Sequence, residues 1–286
     1  MPSLIDIRRR IRSVKNTQQI TRAMKMVSAA KLRRAQDRVL AGRPYAALLR
    51  QVLGNVAAAL AGDERTGQNP LLAQHPEQSI LLMHITADRG LAGAFNSNLN
   101  KGALRFLEEH PAATVEFELI GRKGRDFFRK RGVAIGGEHL GLTHKVVYSD
   151  AAMLAEKAMD RFRNLEIDAV YLLYNEFRSV VSQRLALVRV LPVEVPRQDT
   201  RIEYLFEQPP QEMLNDLLPR YVRTEIYRAL LESAAAEHAA RMTAMESATS
   251  NAADMIERLT LHMNRVRQAS ITKEIIEVVS GAAASE

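Results

Sequence analysis

The sequence predicts an α/β protein: a long antiparallel coiled coil of the N- and C-terminal helices plus a central Rossmann-like domain with an open, mostly parallel sheet. Three observations carry that expectation. Apolar residues recur at three- and four-residue steps over both ends of the chain, and strand and helix patterns alternate between residues 78 and 195. The C-terminal helical stretch is also too long to stand alone.

Residues 3 to about 60 read as one helix. Ser3 is placed to cap its first turn, and Leu4, Ile7, Ile11 and Val14 step by 3-4-3, the coiled-coil interval. The stripe blurs over Thr17-Gln18-Gln19 and resumes at Ile20, Met24 and Val27. It then slips phase before Leu32, Ala35 and Val39, a stutter expected to unwind a supercoil locally. Gly42-Arg43-Pro44 is expected to kink or briefly interrupt the helix, because Pro lacks the backbone donor and clashes one turn back. A second apolar piece, Leu48 to Leu60, ends at Gly62, and Asp63 to Pro76 reads as a polar surface linker.

In the middle, Ile80 to Ile85 and Val115 to Ile120 are short apolar runs of the kind buried in parallel sheets. Leu99, Ala103, Leu104 and Leu107 mark a helical face between them. Ser149 opens a further helix whose buried face is Ala151, Leu154, Ala155, Ala158, Met159 and Phe162. Ala169 to Tyr174 and Gln183 to Val190 complete the strands.

From Gln211 to Ala284 the helical pattern returns, with Met245, Ala248, Ala252, Met255, Leu259, Met263 and Val266 as its stripe. At 1.5 Å per residue this helix is about 110 Å long, so it needs a partner along its length. The first 60 residues are the obvious one. Both helices leave the same middle domain, so they run antiparallel, with paired residue numbers summing to about 271. Leu4 then falls near Arg267, and Gln268 to Ala284 projects alone by about 25 Å. That tail carries Ile271, Ile275, Ile276, Val278 and Val279, and an apolar helix end in water calls for a sheath. The divisions expected are 1–62, a shaft helix; 63–77, a linker; 78–195, the α/β domain; 196–210, a loop; and 211–286, the second shaft helix.

Charge and composition narrow the function. The 286 residues contain no Cys, which excludes disulfides, thiol nucleophiles and thiolate zinc sites. Asp6 and Arg8 stand where a signal peptide needs its apolar core, and no run is apolar enough to span a membrane. Residues 1–50 hold thirteen Lys and Arg against Asp6 and Asp37, although the whole chain has a net charge of only +7. Such an excess calls for an acidic partner, a nucleic acid or an anionic surface. The first 44 residues contain no aromatic side chain, which argues against single-strand nucleic-acid binding.

Little points to chemistry. The loop Asp88-Arg-Gly-Leu-Ala-Gly-Ala-Phe-Asn-Ser-Asn98 follows a strand and precedes a helix, where a phosphate-cradling loop would sit. Gly90 and Gly93 make only G-x-x-G, however, and no Gly-Lys-Ser/Thr occurs. The plainer reading is a tight turn with Ser97 or Asn98 as the helix cap. His139 and His144 sit in a Gly-rich stretch, too few for zinc and expected to be solvated. No catalytic, cofactor-binding or metal-binding residues are assigned.

The run from Ile7 to Lys31 (IRRRIRSVKNTQQITRAMKMVSAAK) resembles the N-terminal helix of the gamma subunit of F-type ATP synthases. So do the run from Ala239 to Ile256 (AARMTAMESATSNAADMI), the run from Arg267 to Ile275 (RQASITKEI) and the ending Val279-Ser-Gly-Ala-Ala-Ala284. The loop from Asp88 to Asn98 is similar to that family's loop after the first strand. The resemblance covers the whole chain and implies a bacterial, non-catalytic rotor shaft. Proton flow turns a membrane c ring, the ring turns the shaft, and the shaft turns inside a hexamer of three alpha and three beta subunits that make ATP. It implies hexamer contacts at Met24, Arg267, Gln268, Thr272 and Glu274, to which the apolar-tip argument adds Ile275 and Ile276. Tyr204, Phe206 and Glu207 match the foot that meets the c ring and the epsilon subunit. The implied place is the cytoplasmic side of the bacterial inner membrane, with neither membrane insertion nor nucleic acid. Ala92 and Ala94 stand where many relatives carry Cys and Gly, and Met263 where an aromatic is usual. Outside the resemblance, a nucleotide-binding α/β protein and a basic coiled-coil nucleic-acid adaptor remain the alternatives.

Overall fold

The computed structural model describes residues 4–60, 69–195 and 208–283. Ser3, Gly62 and Tyr204 to Glu207 lie outside them. In chain order the elements are α1 (Leu4–Ala59), β1 (Ser79–Ile85), α2 (Phe95–Glu109), β2 (Thr114–Ile120), α3 (Arg122–Phe128), β3 (Ala134–His139), α4 (Tyr148–Arg163), β4 (Ala169–Phe177), β5 (Gln183–Leu191) and α5 (Pro210–Ala283). Two compact units emerge: Met1–Ser28 with Met242–Glu286, and Ala29–Arg241.

The larger unit contains one sheet of order β3-β2-β1-β4-β5. Its pairs are parallel except β4–β5, which is antiparallel. Central β1 is buried from Ile80 to Ile85, as expected of a strand covered on both faces. All six residues read as the inner face of α4 are buried. On α2 the buried set is Phe95, Leu99, Asn100, Ala103 and Phe106, while Leu104 and Leu107 are only half-buried.

Several local expectations fail for identifiable reasons. α1 runs unbroken through Gly42-Arg43-Pro44. Pro44 and Leu40, whose carbonyl loses its bond, are both on the exposed side, where water can take the missing donor's place. The stretch taken as a surface linker is partly inside. Pro70–Leu72 form a 3₁₀ turn capped by the Asn69 side chain, Leu71 is buried, and its carbonyl accepts from Val193 N. Ser97 and Asn98 lie inside the first turn of α2 rather than capping it, and α4 begins at Tyr148 without a side-chain cap.

The sequence reading passed over α3 and β3, because β3 is Gly-rich and only partly buried. Charge pairs hold this edge of the sheet. Arg161 of α4 makes two hydrogen bonds to Glu116, at 2.9 and 2.8 Å. Glu118 is buried, and Lys157 donates to both its oxygens at 2.9 and 3.0 Å. His139, read as a solvated loop residue, instead closes β3 with Nε2 2.5 Å from Glu118 Oε1. Burial alone would raise the Glu118 carboxyl, but His139 and Lys157 overcome it and hold it low.

α5 crosses this unit buried on every side from Ala229 to Ala239. Helices in that setting have neighbours all round. Glu232 accepts from Phe177 N at the end of β4, and Glu225 accepts from Arg50 of α1 at 2.9 Å.

Gly121 makes the β2–α3 turn with φ +95°, and a Cβ there would meet Thr86 O at 2.1 Å. Gly121→Ala should therefore lower stability by about 2 kcal/mol or more in urea unfolding. His84, fully buried beside Phe117 and Phe128, is pushed down by burial to a pKa of about 4, against a smaller upward pull from the Leu99 backbone. Unfolded, it takes up its proton near 6.5. Below that pH the unfolded state binds more protons, so stability should fall from pH 6.5 to about 4, by up to about 3 kcal/mol from this residue. His84→Leu should flatten that part of the curve, measured by urea midpoints at pH 7 and 4.5. The contribution of His238, also pushed to about 4, would remain.

Candidate interaction surfaces of the paired helices

In the smaller unit, burial along α1 keeps a strict 3-4 alternation through Leu4, Ile7, Ile11, Val14, Gln18, Thr21, Lys25 and Ser28. The alternation continues along the same helix through Leu32, Ala35 and Val39, so the expected stutter is absent. Small polar residues carry the seam where apolar ones were expected. Thr21 and Ser28 are buried, whereas Ile20 is 60% and Val27 57% exposed. On α5, Met245 and Ala252 are buried and Ile256 is half-buried, while Met255 faces out.

The seam is antiparallel, and its register is close to the one expected. Thr21 and Thr249 hydroxyls lie 2.8 Å apart, and Lys25 Nζ is 2.7 Å from Glu246 Oε1. Each hydroxyl also lies within reach of a carbonyl of its own helix, Thr249 of Met245 O at 2.7 Å and Thr21 of Gln18 O at 3.0 Å. In the larger unit Arg43 and Arg50 reach Glu232 and Glu225, about one helical turn further along α5 than a constant sum of 271 places them.

Ile20, Met26, Val27, Met255 and Leu261 are thus exposed apolar side chains, set among the exposed Arg8, Arg9, Arg10, Arg12, Lys15 and Arg22. Sequence reasoning missed this surface because it followed hydrophobicity. Counting 3-4 steps onward from Val14 would have found it.

The tip is the second surface. Every residue from Ile271 to Ser280 is exposed. Ile275 and Ile276 are each 58% exposed, and Val278 reaches 72%. Arg267, Gln268, Thr272 and Glu274 share this helix end, all exposed, with Ser270 donating to Glu274 at 3.2 Å. Met24 is not brought to them. It is half-buried on α1, level with residues 246–249 and so about 30 Å along α5 from Arg267.

The Gly90 loop is closed by the protein itself. Arg241 of α5 donates to the Arg89 and Gly90 carbonyls at 3.4 and 3.3 Å. Asp88 accepts from Arg122 N, Gly141 N and the Thr143 hydroxyl, and Asn96 Oδ1 accepts from Ala87 N. Gly93, with φ +55°, turns the chain into α2. Among the described residues no cluster of His, Asp and Glu could hold a metal ion.

The ATP synthase family model matches residues 3–284. Over the full length of both chains, 72% of residues are identical to the ATP synthase gamma chain of Solibacter usitatus. The chain belongs to the ATP synthase gamma chain family. The family's chain from Pelotomaculum thermopropionicum is 49% identical, again over both full lengths. Among solved structures, a chain of the Tetrahymena thermophila mitochondrial ATP synthase central stalk and c ring matches at TM-score 0.62 and 28% identity, covering 80% of this chain and 99% of that one. A chain from the Euglena gracilis mitochondrial ATP synthase shares the fold at TM-score 0.66 and 19% identity, covering 98% and 94%.

With ten consecutive residues exposed, amides of 271–280 in the isolated chain should exchange hydrogen much faster than those of the seam around Ser28. Exchange read by mass spectrometry checks this, and slow exchange at the tip would contradict it.

Proposed function

We propose that this chain is the non-catalytic central rotor stalk of a bacterial F-type ATP synthase. It couples proton flow through the membrane c ring to ATP synthesis by turning inside a hexamer of three alpha and three beta subunits. The observation that carries the residue-level reading is the tip: five large aliphatic side chains on one unaccompanied helix end. Burying each contributes about 1.5–3 kcal/mol, a driving force available only to a partner that encloses the helix.

Residues take roles on that basis. Ile275 and Ile276 turn against an apolar sleeve, while Arg267, Gln268, Thr272 and Glu274 supply polar contacts below it, and Met24 meets the hexamer lower on the shaft. The exposed basic face of α1 suits an acidic loop of the beta subunits. Tyr204, Phe206 and Glu207 form the foot on the c ring beside the epsilon subunit. No described helix is long and apolar enough to cross a membrane, which agrees with peripheral attachment, on this reading at the cytoplasmic side of the inner membrane.

Mixing the chain with alpha and beta subunits of a bacterial ATP synthase should give a complex of three alpha, three beta and one copy of this chain, with ATP turnover that requires it. No complex from a folded chain would refute the proposal. Ile276→Asp should leave the isolated chain folded, since the side chain is already exposed, yet weaken assembly at least tenfold through the cost of desolvating a carboxylate. Removing residues 282–286 should be tolerated better. Unchanged assembly and coupled synthesis in Ile276→Asp would sink the sheathed tip.

A further inference from the structure

The larger unit contains a cleft that the rotor reading leaves unused. Its volume is about 170 Å³, and three chain segments enclose it. α1 contributes Lys31, Arg34 and Arg38, the turn before α4 contributes His144 and Lys145, and α5 contributes His238. The floor includes Leu231, Ala234 and Val146. No carboxylate lines it.

The cations are uncompensated. Among the described residues, Lys31, Arg34, Arg38 and Lys145 make no ion pair, although sixteen other basic side chains do so elsewhere. Glu237, which interacts with His144, and Asp88 are already engaged. Glu237 takes Arg241 at 2.7 Å, and Asp88 takes the backbone of Arg122 and Gly141 and the hydroxyl of Thr143. His238 is 8% exposed, and its Nδ1 has no hydrogen-bond partner. Burial first, then Arg241, Lys31 and His144, keep the ring neutral.

From these features we propose that the cleft binds a phosphoryl oxyanion, either orthophosphate or the diphosphate end of a nucleotide. Two guanidinium forks and two ammonium charges suit a group with several anionic oxygens. The volume holds such a group beside a few waters, at about 30 Å³ each. A concave cleft with cationic side chains from α1 and from the turn before α4 fits a small polyanion better than the flat face of a folded partner. Nothing in this inference depends on the rotor reading, so either can fail alone.

Equilibrium dialysis of the full-length chain with labelled orthophosphate, pyrophosphate and ADP, at low ionic strength, tests it. One saturable site per chain is expected, weakened at least tenfold in Lys31→Gln/Lys145→Gln. Arg9→Gln/Arg10→Gln removes the same charge from the same helix outside the cleft and should change affinity less than twofold. Tighter pyrophosphate than ADP assigns a free phosphate, and the reverse a nucleotide. In parallel, ring ¹⁵N signals of His238 and His144 should shift on adding phosphate while that of His84 stays put, an arm that needs no variant to fold. Non-saturable uptake, equal loss in both double variants, or binding of hexaglutamate without phosphate would each overturn the site.

Discussion

A single helix of 74 residues cannot bury its own apolar stripe, and the other elements answer that constraint. Within the larger unit α5 is enclosed by neighbours on all sides for three turns. In the smaller unit it has one companion, α1, and is buried along one seam. Beyond the reach of α1 it has none, and every side chain from Ile271 to Ser280 faces water. Neighbours thin out along one continuous helix, and the end with none is its apolar, exposed stretch.

The companion seam is unusual in its chemistry. Gln18, Thr21, Lys25 and Ser28 take positions that an ordinary coiled coil fills with Leu or Ile. Such a seam gains little from hydrophobic burial, and its register rests on directional contacts such as Thr21 to Thr249. Thr21 and Ser28 are buried there, while the large apolar residues Ile20, Met26 and Val27 lie outside. The segment is therefore built inside out relative to a free-standing pair, with polar side chains within and large apolar ones without.

That inversion explains where the sequence could be read and where it could not. The sheet strands, the α4 face and the antiparallel register were legible because burial on one or two faces writes a periodic pattern. Ile20 and Val27 misled because hydrophobicity was taken to mean burial within the chain, whereas both side chains are exposed on it. β3 left no periodic trace, since Gly136 and Gly137 sit where Glu116 and Glu118 crowd the backbone. The partnership of His139 with Glu118 depends on strand neighbours twenty-one residues apart, which no local spacing announces. Arg241, which closes the Gly90 loop, lies 151 residues from Gly90 and was equally invisible.

The contrast between seam and tip also bears on how a rotor can turn. Contacts that fix register are directional and break when one surface moves past another. Hydrophobic contact is non-directional and scales with area alone, so an aliphatic helix end inside an apolar sleeve keeps nearly the same energy at every angle. On the proposed reading Ile275, Ile276, Val278 and Val279 would offer the second kind of contact. The Thr21–Thr249 pair offers the first, between two helices that move together. On this division the hydrogen bonds hold the two helices to each other, and the proposed rotor reading gives the exposed apolar side chains to the contact with what stands still.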